Sequence, residues 1–265
     1  MSSTIPRVSV LLAVHQGAPT LPKTLESLKA QTFLDWELIA VNDGSTDTTQ
    51  AVLETFHRSV NQQVTMLQQP TNQGLTRSLI AAATHARGRY LARIDAGDLF
   101  APEKLAKQVS FLDAHPKIVV VGCNYLNVLM PKGQTRQSRV PLTDQEIRRS
   151  IHRKNPFAHS CVLMRAISYQ AASGYDSHVR LGQDYELWFR FLRQGAAANL
   201  PEVLCTRTMS EDSLSFQKQR AQMWQTLKTQ WKYLHKTNPL HYLYLLEPFL
   251  VMITPGFLRR LKRRS

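Results

Sequence analysis

Short apolar runs alternating with helical segments constrain this chain more than any other feature. VSVLLAV at Val8–Val14 is almost wholly apolar, as expected of a strand buried on both faces. Residues 21–31 follow with Leu21, Leu25 and Leu28 at helical spacing behind a capping Thr20. The pattern repeats: strand 37–41, helix 47–58, strand 64–67, helix 74–86 with Gly88 placed to stop it, strand 90–94, helix 102–115 with Pro in its first turn, strand 118–123. Such alternation predicts βαβ units and a parallel sheet. Beyond about residue 130 the pattern weakens. A capping box at Thr143–Glu146 opens a helix to His152, and further helices are expected over 183–194 and 216–237.

A chain of 265 residues can bury a large core in one domain plus an appendage. Its three cysteines, Cys123, Cys161 and Cys205, form no CxxC pair, which argues against a disulfide framework or structural zinc and fits a reduced cytosolic setting. The formal charge is +14, and residues 216–265 carry ten basic residues against one acidic. No nucleic-acid-binding motif accompanies that charge, so no nucleic-acid partner is expected. Aromatics within 242–258 beside Arg259, Arg260, Lys262, Arg263 and Arg264 leave two readings open: a segment lying peripherally in a membrane interface, or a helix packed on protein. Glu247, Pro248 and Pro255 argue against a spanning helix, and MSSTIPR does not read as a secretory signal. The expected location is cytoplasmic, with peripheral contact at the cytoplasmic face of the membrane as the first of those readings.

In an open parallel sheet, ligands bind outside the carboxyl ends of the strands. Asp43 follows one expected strand there, and Asp95 and Asp98 follow another. Each alone reads as turn chemistry. Together they repel unless a cation intervenes, and a hard divalent ion bridging to phosphate oxygens is the fitting compensator. GxGxxG and GxxxxGK[ST] are both missing, which argues against a dinucleotide dehydrogenase and a P-loop NTPase.

Four segments in order, VSVLLAVHQG, SLKAQTFLDWELIAVNDGSTDTT, TNQGLTRSLIAAATHARGRYLARIDAGDLFAPEKLAKQ and GYDSHVRLGQDYELWFRFLRQG, resemble the family 2 glycosyltransferases over roughly residues 6–215. The resemblance implies an α/β GT-A fold, a Rossmann-like mostly parallel sheet flanked by helices, with a glycosyltransferase domain over 1–215 and a basic helical extension over 216–265. It implies an inverting transferase that moves a sugar from an NDP-sugar, first a UDP-sugar, to a hydroxyl of a glycan or glycolipid such as a surface polysaccharide intermediate. Ala13 and His15 match the nucleotide-contacting first loop, Asp43 the acid that binds base or ribose, and Asn72 or Arg77 the nucleotide-facing helix. Asp98 and Asp95 match the metal motif for Mg2+ or Mn2+. Asp184 matches the catalytic base, His159 and Ser160 an acceptor-side loop, and Arg207 a partner of the leaving phosphate. Trp188 stands where it could flank the acceptor pocket, although core packing is the stronger expectation. Asn42, Gly97, Gln183 and Met209 depart from the usual residues of the pattern.

The competing readings are a sugar nucleotidyltransferase, disfavoured by the lack of a basic Gly-rich loop after the first strand, and a non-catalytic membrane-associated relative. Donor sugar, acceptor and linkage lie beyond the sequence.

Overall fold

The computed structural model describes residues 5–130, 132–209, 219–234, 241–246 and 249. Most of the aromatic and basic stretch over 242–264 lies outside them. Strands β1 (Val8–Val14), β2 (Trp36–Asp43), β3 (Val64–Gln69) and β4 (Tyr90–Asp95) alternate with helices α1 (Leu21–Lys29), α2 (Thr49–Ser59) and α3 (Leu75–His85). Then come β5 (Leu99–Phe100), α4 (Lys104–Ala114), β6 (Ile118–Leu129), β7 (Gln134–Gln137), α5 (Asp144–Ser150), a 3-10 turn at His159–Cys161 and β8 (Leu163–Arg165). The series closes with α6 (Ala166–Ala171), α7 (Gln183–Phe191), β9 (Ala196–Met209) and α8 (Gln219–Lys232).

The sheet runs β3-β2-β1-β4-β8-β6-β9-β5, with β7 paired to β6. Its β3-β2-β1-β4 half is parallel, as the alternation requires. β8 then enters antiparallel between β4 and β6, and β6 pairs β9 in parallel. The apolar runs serve two cores. Val8, Val10, Leu12 and Val14 face Leu21, Leu25 and Leu28 of α1, while Leu11 faces Leu79 and Ala82 of α3. Fully burying each such side chain contributes roughly 1.5–3 kcal/mol, so strand register is firmly set.

The helix signals behave unevenly. The Thr143 capping box forms in full, with Glu146 N donating to Thr143 Oγ1 at 3.3 Å and Thr143 N to Glu146 Oε2 at 3.0 Å. Thr20 stands at the α1 N-cap but makes no capping hydrogen bond. Gly88 does not terminate α3, which ends at His85. It lets two backbones approach: a Cβ there would lie 2.6 Å from Ser9 N.

Candidate active site

The carboxyl ends of β1, β2 and β4 lie side by side, with Ala13 paired to Val41 on one flank and to Asp95 on the other. The loops after β1 and β2 are knitted together. Gln16, at φ +52, accepts from Thr46 N at 3.0 Å and Asp47 N at 3.1 Å. Its own N–H donates to Ser45 Oγ at 3.0 Å. Gly44 is required at φ +67, since a Cβ there would meet the Thr71 backbone at 2.5 Å.

Asp43 is buried at the tip of β2. Its carboxylate accepts from Gln73 N at 2.6 Å and Gly74 N at 2.9 Å, the N-terminus of α3, where the helix dipole favours negative charge. His15 is exposed, with Nδ1 2.8 Å from the Asp43 carbonyl. A carbonyl only accepts, so Nδ1 carries the proton and Nε2 is left as an acceptor. Asn72 and Arg77 are exposed around the start of α3, where Arg77 Nη1 donates to Gln73 Oε1 at 3.3 Å. Asn42 has a local reason of its own. Its amide donates to Gln50 Oε1 and Gln68 Oε1, both at 3.2 Å, which an aspartate could not do.

The turn after β4 brings Asp95 and Asp98 onto Ser160. The Ser160 hydroxyl donates to Asp98 Oδ2 at 2.5 Å, and Thr208 N donates to Asp98 Oδ1 at 3.1 Å. Arg207 Nε stands 3.9 Å from Asp98 Oδ2, its guanidinium over the Tyr125 ring at 5.1 Å. Burial, with Asp95 adding repulsion, pushes the Asp98 carboxyl up to about 6 against the opposing pull of Ser160, Arg207 and Arg93. Asp95 is the open carboxylate of the two, 41% exposed at its side chain. Gly97 sits at φ +100 between them, a backbone conformation that resists the acid the pattern would place there.

Sequence reasoning missed Arg93. It is 1% exposed, and its two terminal nitrogens fork onto both oxygens of Asp95. Nη1 also donates to Ser160 Oγ at 3.1 Å. The available signal was the i, i+2 spacing, which puts Arg93 and Asp95 on one face of β4.

On the far side, Asp184 lies in the first turn of α7, half-buried, and accepts from Asn155 Nδ2 at 2.7 Å. Burial raises its carboxyl above the usual range; Asn155, Arg93 and Arg207 pull it back. Asp184 and Asp98 therefore lie within the fields of the same two guanidinium groups. His159 is buried, its Nε2 2.7 Å from Tyr175 OH, and burial holds it neutral. Trp188 is fully buried against Phe157, His159 and Phe191, which makes it a core residue.

The three cysteines, distant in sequence, converge beneath this turn, with sulfurs all within 4.8 Å of one another. Cys205 Sγ donates to the Ser160 carbonyl at 3.4 Å. Among the described residues no helix is long and apolar enough to cross a membrane.

Comparison with known proteins adds four findings. The family model described as glycosyl transferase family 2 matches residues 9–171. The amylovoran biosynthesis glycosyltransferase AmsE of Erwinia amylovora is 32% identical over 200 residues, 74% of this chain and 74% of that protein. Among solved structures, S. aureus TarS 1-349 in complex with UDP superposes with TM-score 0.69 at 19% identity, covering 92% of this chain and 70% of that one. The Pyrobaculum calidifontis mannosyltransferase PcManGT in complex with GDP-Man and Mn2+ superposes with TM-score 0.67 at 17% identity, covering 99% of this chain and 80% of that one.

Proposed function

The chain belongs to glycosyl transferase family 2 and is a glycosyltransferase, and from that premise we propose that it moves a sugar from a UDP-sugar to a hydroxyl of a glycan acceptor with inversion of the anomeric centre. What supports this reading is the gathering of Asp95, Asp98, Ser160 and Arg207 at the β4 turn, with Asp184 within electrostatic reach of Arg93 and Arg207. UDP and GDP-Man are bound by the two structural neighbours, and AmsE is named for amylovoran biosynthesis, which supports a nucleotide-sugar donor and a polysaccharide acceptor.

The donor's base and ribose would lie over the β1–β2 edge. His15 offers Nε2 as an acceptor there. Asp43 shapes the edge from beneath, because its oxygens already hold the α3 N-terminus. The diphosphate would lie at the β4 turn. Asp95 and Asp98 fit a divalent ion: both are hard oxygen donors, Asp98 carries an undercompensated buried charge, and PcManGT binds Mn2+. Bound Mg2+ or Mn2+ supplies charge neutralisation at the departing diphosphate. Arg207, whose side chain is 31% exposed, would pair with a phosphate oxygen through its terminal nitrogens.

Asp184 accepts the proton of the acceptor hydroxyl as that oxygen attacks the anomeric carbon. Asn155 fixes the orientation of the carboxylate, and burial raises its basicity. The test is donor binding and turnover. UDP should bind in the presence of Mn2+, and Asp184→Asn should cut transfer by ~10²–10⁴-fold while UDP affinity holds. Unimpaired transfer by that variant would refute the base assignment, and failure of every UDP-sugar to bind would refute the donor.

A further inference from the structure

A cavity of about 650 Å3 lies between the β6–β7 hairpin and the 154–156 turn, within the size range of small-molecule sites. Arg136, Arg139 and Lys154 line it, and no acidic residue does. Among the described residues none of these three cations has a carboxylate in salt-bridge range. The cavity also touches both halves of the candidate active site. Asn155, whose amide holds Asp184, forms one wall, and Tyr125, whose ring lies under Arg207, forms another.

The walls are built in advance. Asn124 Oδ1 accepts from Ser138 Oγ at 2.9 Å and from Val140 N at 3.1 Å. Asn199 Nδ2 joins the two sides, donating to Pro141 O at 2.7 Å and Pro156 O at 3.3 Å. Gly122 makes room for that link, since a Cβ there would fall 2.0 Å from Asn199 Oδ1. Three uncompensated cations on a fixed concave wall select an oxyanion, and the two arginines can each grip one with paired donors.

We propose that this cavity is an acceptor subsite for an anionic glycan: Arg136, Arg139 and Lys154 bind a phosphate or carboxylate group of the acceptor while Asn155 presents Asp184 to its hydroxyl. The assignment rests on the glycosyl-transfer reading of the neighbouring site and adds the acceptor's charge to it. An acceptor with a neutral glycan and no anionic linkage would leave the three cations unused.

The test is calorimetric, on the full chain in buffer containing Mn2+, the condition under which UDP is expected to bind. Glycerol phosphate and glucuronate are titrated separately, with and without saturating UDP, into wild type and into Arg136→Gln/Arg139→Gln/Lys154→Gln. All three positions are exposed, so the triple variant should fold. At least one probe should bind wild type in the presence of UDP and bind the triple variant about tenfold or more weakly, with UDP affinity unchanged. The tighter probe then identifies the group as phosphate or carboxylate. Equal binding by the triple variant overturns the subsite, and displacement by UDP reassigns the cavity to the donor's own diphosphate. If UDP fails to bind while the anion still depends on the three cations, the subsite stands and the donor reading falls.

Discussion

Arg93 reaches from inside the sheet to both carboxylate oxygens of Asp95, so the open acid of the β4 turn is held by a guanidinium that is itself 1% exposed. Asp95 is thus structural as well as a candidate ligand. Asp95→Asn strands a buried cation and should cost about 3 kcal/mol, the lower end for breaking a buried pair because Asp95 is partly exposed. Denaturant unfolding checks this. In a cycle with Arg93→Met, the double variant should be more stable than the two single losses predict. Strict additivity would show that the pair is not coupled.

Asp98 should make the metal-free protein weaker at neutral pH than in mild acid. Its native carboxyl titrates near 6, above the unfolded value of roughly 3.9. Between those values the native state binds more protons, so stability falls as pH rises and is level above 6. The penalty is on the order of 3 kcal/mol. Asp98→Asn should flatten the pH 4–6 slope and leave the metal-free chain at least as stable as wild type at pH 8. Mn2+ should raise the wild-type Tm at pH 8 and little at pH 5. A Tm shift indifferent to pH would contradict the assignment.

The parallel half of the sheet was legible because strands buried on both faces leave continuous apolar runs. The other half was not. β8 is three residues inside NPFAHSCVLMR, and β7 is wholly exposed, so neither carries a period. The predicted end of β6 at Cys123 fell short because the strand turns half-buried there and continues to Leu129. At the site, the acids were readable from their place after strands, while their partners were not. Arg93 and Asn155 gain meaning only when distant segments meet, and Ser160, read as part of an acceptor-side loop, turns out to hold Asp98. The three cysteines show the same limit: their spacing gave no sign that they meet, and the fold brings them together as free thiols. Asn42 shows the converse. As a departure from a pattern it looked like a loss, yet its amide satisfies two glutamine carbonyls. Asn42→Asp should therefore destabilise the chain by about 1–3 kcal/mol, read by denaturant unfolding.

Asn155 should set the acid limb of the pH–rate profile. Its amide donates to the charged form of Asp184 and so lowers that carboxyl, while burial raises it. The base works only when unprotonated, so activity rises with pH through the Asp184 value. Asn155→Ala removes the lowering contact, and the limb should move to higher pH. The lost orientation should also cut kcat at pH 8 by about tenfold. A fall in kcat without movement of the limb would make Asn155 a packing residue only.

The C-terminal helix should control turnover without touching donor affinity. Glu186 is buried two residues beyond Asp184, and its Oε1 accepts from Lys232 Nζ at 2.9 Å and Tyr233 OH at 2.6 Å. Arg190 holds Oε2, and the Tyr233 ring stacks on Phe189 at 4.6 Å. On the other flank Gln230 Nε2 donates to the carbonyls of His152 and Arg153, at the start of the turn that carries Asn155. The region from α8 to Tyr233 thus braces both the helix that bears Asp184 and the segment that orients it. The β1, β2 and β4 edge is braced instead by α3 and the 15–47 loops. Tyr233→Phe and Gln230→Ala should each lose about 1 kcal/mol of stability. Both should lower kcat, with Kd for UDP unchanged. Removal of residues 216–265 should show the same pattern in stronger form. If UDP affinity and kcat fell by the same factor, α8 would support the fold as a whole rather than the placement of the base.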